Sequence, residues 1–449
     1  MQSKSHIIQP VFSPGLSHMG KARKHGVILV IAYLMTSLMN YAFSVGLSWY
    51  LTPNQFGVLG VAQSILLMVA LIVGSGFSWT AAKDLASNGA DELSRVRFRT
   101  AILANGLVGM IIALGLWLTY QLGWMPLGAS YRLVIPMIGV TTLILCIRAV
   151  LNGAARGLLQ FTAVAINLVG EVIVKIALGL SLVSLHMGVT GVMIAFAMGA
   201  LASLLHSLWI TRPAKLWSGR GWIKKEVITD TGPLFLAMLG PALMLNLDIL
   251  GLKLLSPSEL GDTLAGYYQA AVILARGPVF VAQALTLVMF SYAANHNSNQ
   301  AVDYGANKQN EYLRTSFRVW FWLLLPAGLA LILFPKIILS MFFPPQYLSA
   351  ALTLQIGAAG GALLALVTLL NGVLQAIGER RYSVLAAITA TSAQVIALIF
   401  LIPRWGAVGA AFSLPVAGVI ALVTLIPALR RWGPRSLDLY HPIQQISNR

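Results

Sequence analysis

The chain has 449 residues, of which 58% are hydrophobic and only 10% are charged. This balance excludes a soluble globular protein, in which about a quarter of the residues are charged. The net charge of +17 would suit a nucleic-acid-binding protein, but the basic residues are dispersed at the ends of apolar runs, so no nucleic-acid partner is expected.

The first element is a polar and basic leader, residues 1–26, which is expected to lie in the cytoplasm. The apolar run that follows is too long for a signal peptide and is predicted to remain as a membrane helix. Six apolar runs of membrane-spanning length then predict an N-terminal six-helix lobe over residues 27–216. They are Val27–Tyr50, Gly57–Thr80, Thr100–Leu122, Leu133–Gly153, Phe161–Val183 and Val189–Thr211.

A second set of six apolar runs predicts a C-terminal six-helix lobe over residues 217–429, followed by a cytoplasmic tail, residues 430–449. Gly277 and Pro278 predict a kink inside its second member. The fold class is therefore an all-α membrane protein with about twelve transmembrane helices in two lobes. The runs are Pro233–Leu254, Ala265–Ala293, Phe317–Phe334, Ser349–Gln375, Val384–Ile402 and Ala407–Leu429.

The distribution of basic residues predicts the orientation. With the N-terminus in the cytoplasm, 24 of the 30 Lys and Arg residues fall in cytoplasmic segments and 4 in outer segments. Cytoplasmic loops are enriched in Lys and Arg, and an incorrect helix count would scramble this alternation. Both termini are therefore expected inside the cell.

Two short patterns recur at equivalent places in the two sets of six spans. Leu51–Gly57 is matched by Leu255–Gly261 at an offset of 204 residues, and Gly188–Gly191 is matched by Gly406–Gly409 at an offset of 218. Since each set has an even number of spans, the pattern predicts a parallel repeat with the substrate path between its halves. Chance recurrence of turn motifs in membrane loops is the alternative explanation.

Four stretches resemble the polysaccharide transporter family of oligosaccharide flippases, in the superfamily that also contains MATE exporters and lipid II flippases. They are Val373–Gly378 (VLQAIG), Ile402–Ala411 (IPRWGAVGAA), Phe342–Tyr347 (FFPPQY, with Pro344 where glycine is usual) and Ala265–Ala271 (AGYYQAA). These are helix-packing and turn signals, so they indicate the fold better than the substrate.

The resemblance implies that a lipid-diphosphate-linked oligosaccharide moves from the inner to the outer leaflet of a bacterial cytoplasmic membrane. The lipid bilayer and other polysaccharide-assembly proteins are the further partners that it implies. Moving a large polar headgroup past hydrocarbon calls for a polar, cationic cavity between the lobes.

Ionisable residues inside the spans are candidates for that cavity, because each costs about 2.5–3.5 kcal/mol to insert. Glu171 and Lys175 lie four residues apart on one helix face. They predict either a cavity wall whose lysine binds diphosphate or a self-neutralised pair. Arg148, at the expected cytoplasmic end of the fourth span, would attract the headgroup or anchor that helix to anionic lipid.

Arg276 and Asp248 lie on neighbouring predicted spans at depths that differ by about 7 Å, close enough for an ion pair. Either Arg276 binds the diphosphate bidentately while Asp248 releases it, or the two form a structural bridge. Asp248 would alternatively be hydrated near the outer surface. Tyr268 and Gln269 are polar residues in an apolar run, which would line a sugar path or tie helices together.

No catalytic, metal-binding or cofactor-binding motif is present, so neither an enzyme nor a cofactor is expected. A MATE-type cation or small-molecule antiporter is one alternative, but spans one to four contain no carboxylate that would serve it. A membrane-embedded glycan polymerase or ligase is the other, and it would need a long outer loop carrying acid and base residues. The expected outer loops are about ten residues or shorter, except around residues 335–348.

Overall fold

The computed structural model describes residues 16–123, 131–218, 225–256, 258–296, 314–376 and 380–432, and the described residues form helices and no strands. The predicted all-α class is therefore confirmed. The N-terminal half contains α1 (Leu16–Leu47), α2 (Pro53–Ser75), α3 (Phe77–Asn88), α4 (Glu92–Gln121), α5 (Val134–Gly157), α6 (Phe161–Ser184) and α7 (Gly188–Thr211). The C-terminal half contains α8 (Lys225–Met244), α9 (Leu247–Leu255), α10 (Ser258–Ala275), α11 (Gly277–His296), α12 (Arg314–Leu333), α13 (Pro335–Phe342), α14 (Ala351–Ala376) and α15 (Arg380–Trp432).

Local sequence explains where several helices begin. The Thr52 side chain accepts a hydrogen bond from the backbone N–H of Gln55, whose own side chain accepts one from the Thr52 backbone N–H, so α2 starts in a capping box. Asp91 caps α4 by accepting a hydrogen bond of 2.7 Å from the Ser94 backbone N–H. Both caps satisfy amide groups that the first turn of a helix leaves free.

Backbone geometry gives a physical reason for the recurring glycine pattern. Gly188 opens α7 at a φ of +54°, and Gly406 forms the kink inside α15 at a φ of +53°. Residues with a side chain rarely adopt this left-handed conformation, whereas glycine adopts it readily. The two matching motifs therefore mark two sharp changes in backbone direction.

Three of the expected spans are broken helices. The predicted kink near Gly277 is confirmed, because α10 and α11 meet at an angle of 43° beside Arg276. Gly76 separates α2 from α3 within the second expected span. The expectation that Pro233–Leu254 is one continuous helix is wrong, because the chain leaves the helical path at Leu245 and Asn246 between α8 and α9.

Eight described helices are long and apolar enough to cross a membrane, or nine if the bent pair of α10 and α11 counts as one span. The chain is thus a multi-pass membrane protein. The expected eleventh and twelfth spans form two helices that meet at the Gly406 kink within α15, and the first expected span lies in α1. The expected total of twelve, the division into two lobes and the orientation of the termini remain predictions, and residues 1–15 and 433–449 of the leader and tail lie outside the described part.

Glycines allow the closest contacts between helices. A Cβ atom on Gly57 of α2 would lie 1.8 Å from the carbonyl oxygen of Asp262, and one on Gly266 of α10 would lie 1.8 Å from that of Pro53. The N- and C-terminal halves therefore touch backbone to backbone where α2 crosses α10. Small residues permit such close approach between membrane helices.

Similar glycine contacts occur inside each half. Gly153 of α5 packs against the Ser78 carbonyl of α3, and Gly361 of α14 packs against the Ala275 carbonyl beside the α10–α11 bend. In both cases the fourth expected span of its half lies against the broken second span. This equivalence is what a parallel repeat predicts.

Candidate functional site

The C-terminal half contains a buried cluster of Asp248, Tyr268 and Arg276. Arg276 donates hydrogen bonds from Nη2 to both carboxylate oxygens of Asp248, at 2.7 and 2.5 Å, and the Tyr268 hydroxyl donates to Oδ2 at 2.5 Å. Arg276 is 7% exposed and the other two residues are fully buried. The predicted contact between Arg276 and Asp248 is confirmed, and the alternative of a hydrated Asp248 is wrong.

Two helix breaks bring this cluster together. Asp248 lies in the first turn of α9, immediately after the break that ends α8, and Arg276 lies in the bend between α10 and α11. One ion pair therefore joins two interrupted helices. The pair is formally neutral, so in this conformation Arg276 does not present a free charge to a ligand.

The N-terminal half contains a second cluster, centred on Arg148 of α5. Arg148 forms an ion pair with Glu171 of α6 and donates a hydrogen bond of 3.0 Å to the Ser203 hydroxyl on α7. It lies nine residues before the end of α5, with a side chain that is 13% exposed. The expectation that it anchors a helix end to lipid is wrong, because three helices enclose it.

Glu171 pairs with Arg148, so the expected self-neutralised pair of Glu171 and Lys175 is wrong. Lys175 instead donates a hydrogen bond to the side-chain oxygen of Asn40 on α1. Its ammonium lies 4.6 Å from the centre of the Phe196 ring and 5.9 Å from that of Phe43. Lys175 is 8% exposed, and no carboxylate among the described residues lies within ion-pairing distance of it.

Charge distinguishes the two clusters. Arg148, Glu171 and Lys175 together carry a formal charge of +1, whereas Asp248 and Arg276 cancel each other. Neutral groups alone hold the Lys175 ammonium, through a hydrogen bond and cation–π contacts that are favourable but do not neutralise it. Of the two clusters, the N-terminal one therefore carries the net positive charge.

Gln269 links the two halves below the crossing of α2 and α10. Its amide Nε2 donates a hydrogen bond of 3.2 Å to Oε1 of Gln63 on α2. A Cβ on Gly60 would lie 2.9 Å from the Gln269 side chain, so the two helices also fit closely at this depth. Of the two alternatives for Gln269, the geometry shows a tie between helices.

Sequence reasoning missed several residues of these clusters. Asn40 and Gln63 are polar residues inside apolar runs, and that signal would have found both. Lys253 and Asp262 were expected in exposed outer segments but form a buried ion pair, with side chains 1% and 7% exposed. Spacing alone does not reveal such a pair, because α9 and α10 must first fold against each other.

The described residues contain no cluster of three or more His, Cys, Asp or Glu side chains that would hold a metal ion. The charges of both clusters are instead organised as ion pairs and hydrogen bonds between helices. Such an arrangement can bind or release a charged group, and it resembles neither a metal centre nor a nucleophile activated by a base.

Comparison with solved structures identifies the fold. An inward-facing multidrug resistance MATE family transporter of the MOP superfamily aligns over 90% of this chain and 98% of its own, with a TM-score of 0.69 and 17% identity. The lipid II flippase MurJ in an inward closed conformation aligns over 90% and 87%, with a TM-score of 0.73 and 15% identity. A MOP superfamily transporter from Pyrococcus furiosus aligns over 91% and 96%, with a TM-score of 0.62 and 16% identity.

No match is found among curated protein sequences. The family profile described as "Polysaccharide biosynthesis protein" matches residues 22–294, which is more than half of the chain and includes both charged clusters. The fold of the MOP transporters and this match agree with the sequence resemblance, and the chain therefore belongs to the polysaccharide biosynthesis protein family.

Proposed function

We propose that this protein is a flippase that moves a lipid-diphosphate-linked oligosaccharide from the inner to the outer leaflet of a bacterial cytoplasmic membrane. Family membership supports a role in polysaccharide assembly, and the fold supports transport. The lipid tail remains in the bilayer while the diphosphate and sugars pass between the two halves. Other polysaccharide-assembly proteins supply the substrate and consume the product.

The positive charge of the N-terminal cluster is the observation that carries this proposal. A diphosphate needs cationic hydrogen-bond donors, and such bonds to a charged group are worth about 1.5–3 kcal/mol each. The groups in direct contact with the Lys175 ammonium are neutral, so an anion would complete its environment. Arg148 lies beside Lys175 but already forms an ion pair with Glu171, so it can contact the diphosphate only while sharing its charge with Glu171.

Arg276 is one of the diphosphate ligands that the sequence suggests, and the structure gives a reason to favour Lys175 in that role. Binding diphosphate at Arg276 would require breaking two hydrogen bonds to Asp248 and leaving a buried carboxylate unpaired. Removing one partner from a buried ion pair costs about 3–5 kcal/mol. Lys175 needs no such exchange.

The test uses a strain that lacks this protein and any second flippase, complemented with variants of Lys175. Lys175→Gln is expected to reduce surface glycan about tenfold or more and to leave lipid-linked oligosaccharide on the inner leaflet, because one charge-assisted contact is lost. Lys175→Arg is expected to retain part of the activity. Lys336→Gln makes the same chemical change at an exposed position and is expected to behave as wild type.

Membrane abundance is measured for every variant, so that loss of folded protein is distinguished from loss of transport. Full glycan display by Lys175→Gln at normal abundance would remove Lys175 from the substrate site. Normal surface glycan in the strain without the protein would reject the flippase function itself.

A MATE-type antiporter is the second candidate, because the MATE transporter resembles this fold nearly as well as the lipid II flippase does. Among the described residues of the first six expected spans, the only carboxylate deep in a helix is Glu171, and Arg148 neutralises it. Ion-driven export of a cationic dye by the purified protein in liposomes would contradict the flippase proposal. If Glu171→Gln left that export unchanged, the result would also exclude Glu171 as the carboxylate that an antiporter uses.

A further inference from the structure

The short helix α13 follows the membrane-spanning helix α12 after a sharp break. Phe334 leaves the helical conformation, with φ of −123° and ψ of 43°, and Pro335 begins α13 without an N–H to donate to the preceding turn. Carbonyls in the last turn of a helix need other partners. The Ile332 carbonyl finds one in the Gln355 side chain of α14, which donates a hydrogen bond of 2.9 Å. The break is therefore supported by the surrounding fold.

The side chains of α13 divide into sectors around the helix axis. One sector is buried against the protein, one is polar and exposed, and one is apolar and exposed. Each contains a pair of residues four positions apart: Pro335 with Leu339, Lys336 with Ser340, and Ile337 with Met341. Successive pairs are rotated by about 100° around the axis, because an α-helix has about 3.6 residues per turn.

The exposed apolar sector is the feature that needs an explanation. Ile337 and Met341 are 59% and 69% exposed, whereas Leu339 is fully buried in the hydrophobic core. A helix on the surface of a water-soluble protein has one apolar face towards the core and one polar face towards water. A third, apolar sector therefore indicates that α13 borders a third kind of surroundings.

The end of α12 shows what those surroundings are. Leu333, the last residue of α12, and Phe334 in the break are both exposed, so the apolar surface of α12 leads directly into α13. Arg314 and Arg318 lie near the other end of α12, which is long and apolar enough to cross the membrane. The start of α13 therefore lies where a membrane span leaves the hydrocarbon.

Aromatic residues place the other end of α13 at the same level. The Trp49 indole donates a hydrogen bond of 3.1 Å to the Phe342 carbonyl, in the last turn of α13. Trp49 and Tyr50 are both exposed in the turn after α1. Trp and Tyr are enriched where hydrocarbon meets the lipid headgroups. Both ends of α13 thus lie near one face of the membrane, and the helix runs along it.

We propose that α13 is an interfacial helix that lies in the plane of the membrane at its expected outer surface. Its partner is the lipid bilayer: Ile337 and Met341 enter the ends of the acyl chains, and Lys336 and Ser340 face headgroups and water. Helices with apolar and polar faces bind the interface in this way. The Lys336 ammonium stays solvated among the headgroups, so this position is still expected to tolerate Lys336→Gln.

This contact gives the C-terminal half a fixed depth in the outer leaflet. Leu339 and the adjoining Phe343 are both buried in the hydrophobic core, so α13 is held to the protein on one side and to lipid on the other. The inference concerns the position of the protein in the bilayer and is independent of which substrate is carried.

The test measures the surroundings of single nitroxide spin labels on the purified protein in lipid nanodiscs. In a Cys146→Ser background, Ile337→Cys, Met341→Cys and Ser340→Cys each provide one labelled thiol at an exposed position of α13. Labels at 337 and 341 are expected to collide more often with oxygen, which concentrates in hydrocarbon, than with a water-soluble nickel chelate. The label at 340 is expected to show the reverse preference.

Two matched references define the scale. Leu107→Cys, an exposed position in the middle of α4, reports hydrocarbon, and Leu185→Cys, in the exposed turn after α6, reports water. Preference for the nickel chelate at all three positions of α13 would show a helix standing in water. Preference for oxygen at all three would show a helix submerged in hydrocarbon, and low collision with both reagents at 337 and 341 would show that protein covers them. Each of these three results would overturn the proposal.

Discussion

Charged side chains buried in the described helices are held by specific partners on other helices. Asp248 has Arg276 and Tyr268, Arg148 has Glu171, and Lys175 has an amide and two aromatic rings. An ion without such a partner is unfavourable inside a membrane protein. The identity of the partner decides whether a charge serves the structure or remains available to substrate.

For the Asp248–Arg276 pair, we expect a structural role. Asp248→Asn or Arg276→Gln alone should destabilise the protein by about 3–5 kcal/mol, since each leaves one buried charge unpaired. The double variant should recover most of this loss and retain transport. Thermal unfolding of the purified proteins and surface glycan display measure the two outcomes.

Tyr268→Phe is the control for this comparison, because it removes one hydrogen bond to Asp248 and keeps the ring and both charges. It should cost about 1–3 kcal/mol. A double variant that is stable but does not transport would assign Arg276 to the substrate after all.

At the scale of the elements, interruptions of the helices determine where functional side chains lie. Arg276 lies in the α10–α11 bend, Asp248 follows the break after α8, and Gly76 separates α2 from α3. Unwound backbone within a membrane must be satisfied by protein or water. At the break after α8, the Gln394 side chain donates a hydrogen bond of 3.1 Å to the Met244 carbonyl.

The kink in α15 allows a test of the backbone argument. Gly406→Ala forces a side chain into a left-handed conformation and should destabilise the protein by about 1–2 kcal/mol. Gly115→Ala, in the C-terminal part of α4 with open space around its Cβ, should instead be neutral or stabilise by about 0.5–1 kcal/mol. Thermal unfolding in detergent compares them, and equal effects of the two changes would contradict the role of the positive φ.

At the scale of the whole molecule, the structure sharpens the argument for orientation. Arg148 is partly buried and Lys253 is fully buried, and each is engaged in an ion pair, so neither is free to contribute to the charge of a loop. Removing them from the 24 and 4 counted along the sequence leaves 23 basic residues in expected cytoplasmic segments and 3 in outer ones. The asymmetry that underlies the prediction therefore persists.

Two matched turns test this orientation. Leu159, after α5, and Leu185, after α6, are 66% and 71% exposed, and the predicted topology puts them on opposite faces of the membrane. In a Cys146→Ser background, Leu185→Cys should react with an impermeant thiol reagent added to intact cells, and Leu159→Cys should react only after lysis. The reverse labelling pattern would show that the orientation in the membrane is opposite to the predicted one. The sequence-based topology also predicts that Asp262 faces outside and that Asn307 faces the cytoplasm. Asp262 is buried, so it is unsuitable for labelling, and Asn307 lies outside the described residues.

The amino-acid sequence by itself determined the membrane class, the all-helical fold, the kink beside Gly277 and the family. These depend on the length of apolar runs and on local turn chemistry, which neighbouring residues carry. It also predicted the contact of Asp248 with Arg276, because counting from the loop that joins their helices puts the two residues at depths that differ by only about 7 Å.

Only the tertiary structure decided which partners the other charges have. Helical spacing brought Glu171 and Lys175 to one face, yet Arg148 from α5 reaches Glu171, and Asn40 from α1 reaches Lys175. In an isolated helix, a charged side chain can pair only with residues three or four positions away. In a packed bundle it can also pair with residues on every facing helix. The pairing of lowest free energy is the one that leaves the fewest buried charges without a partner.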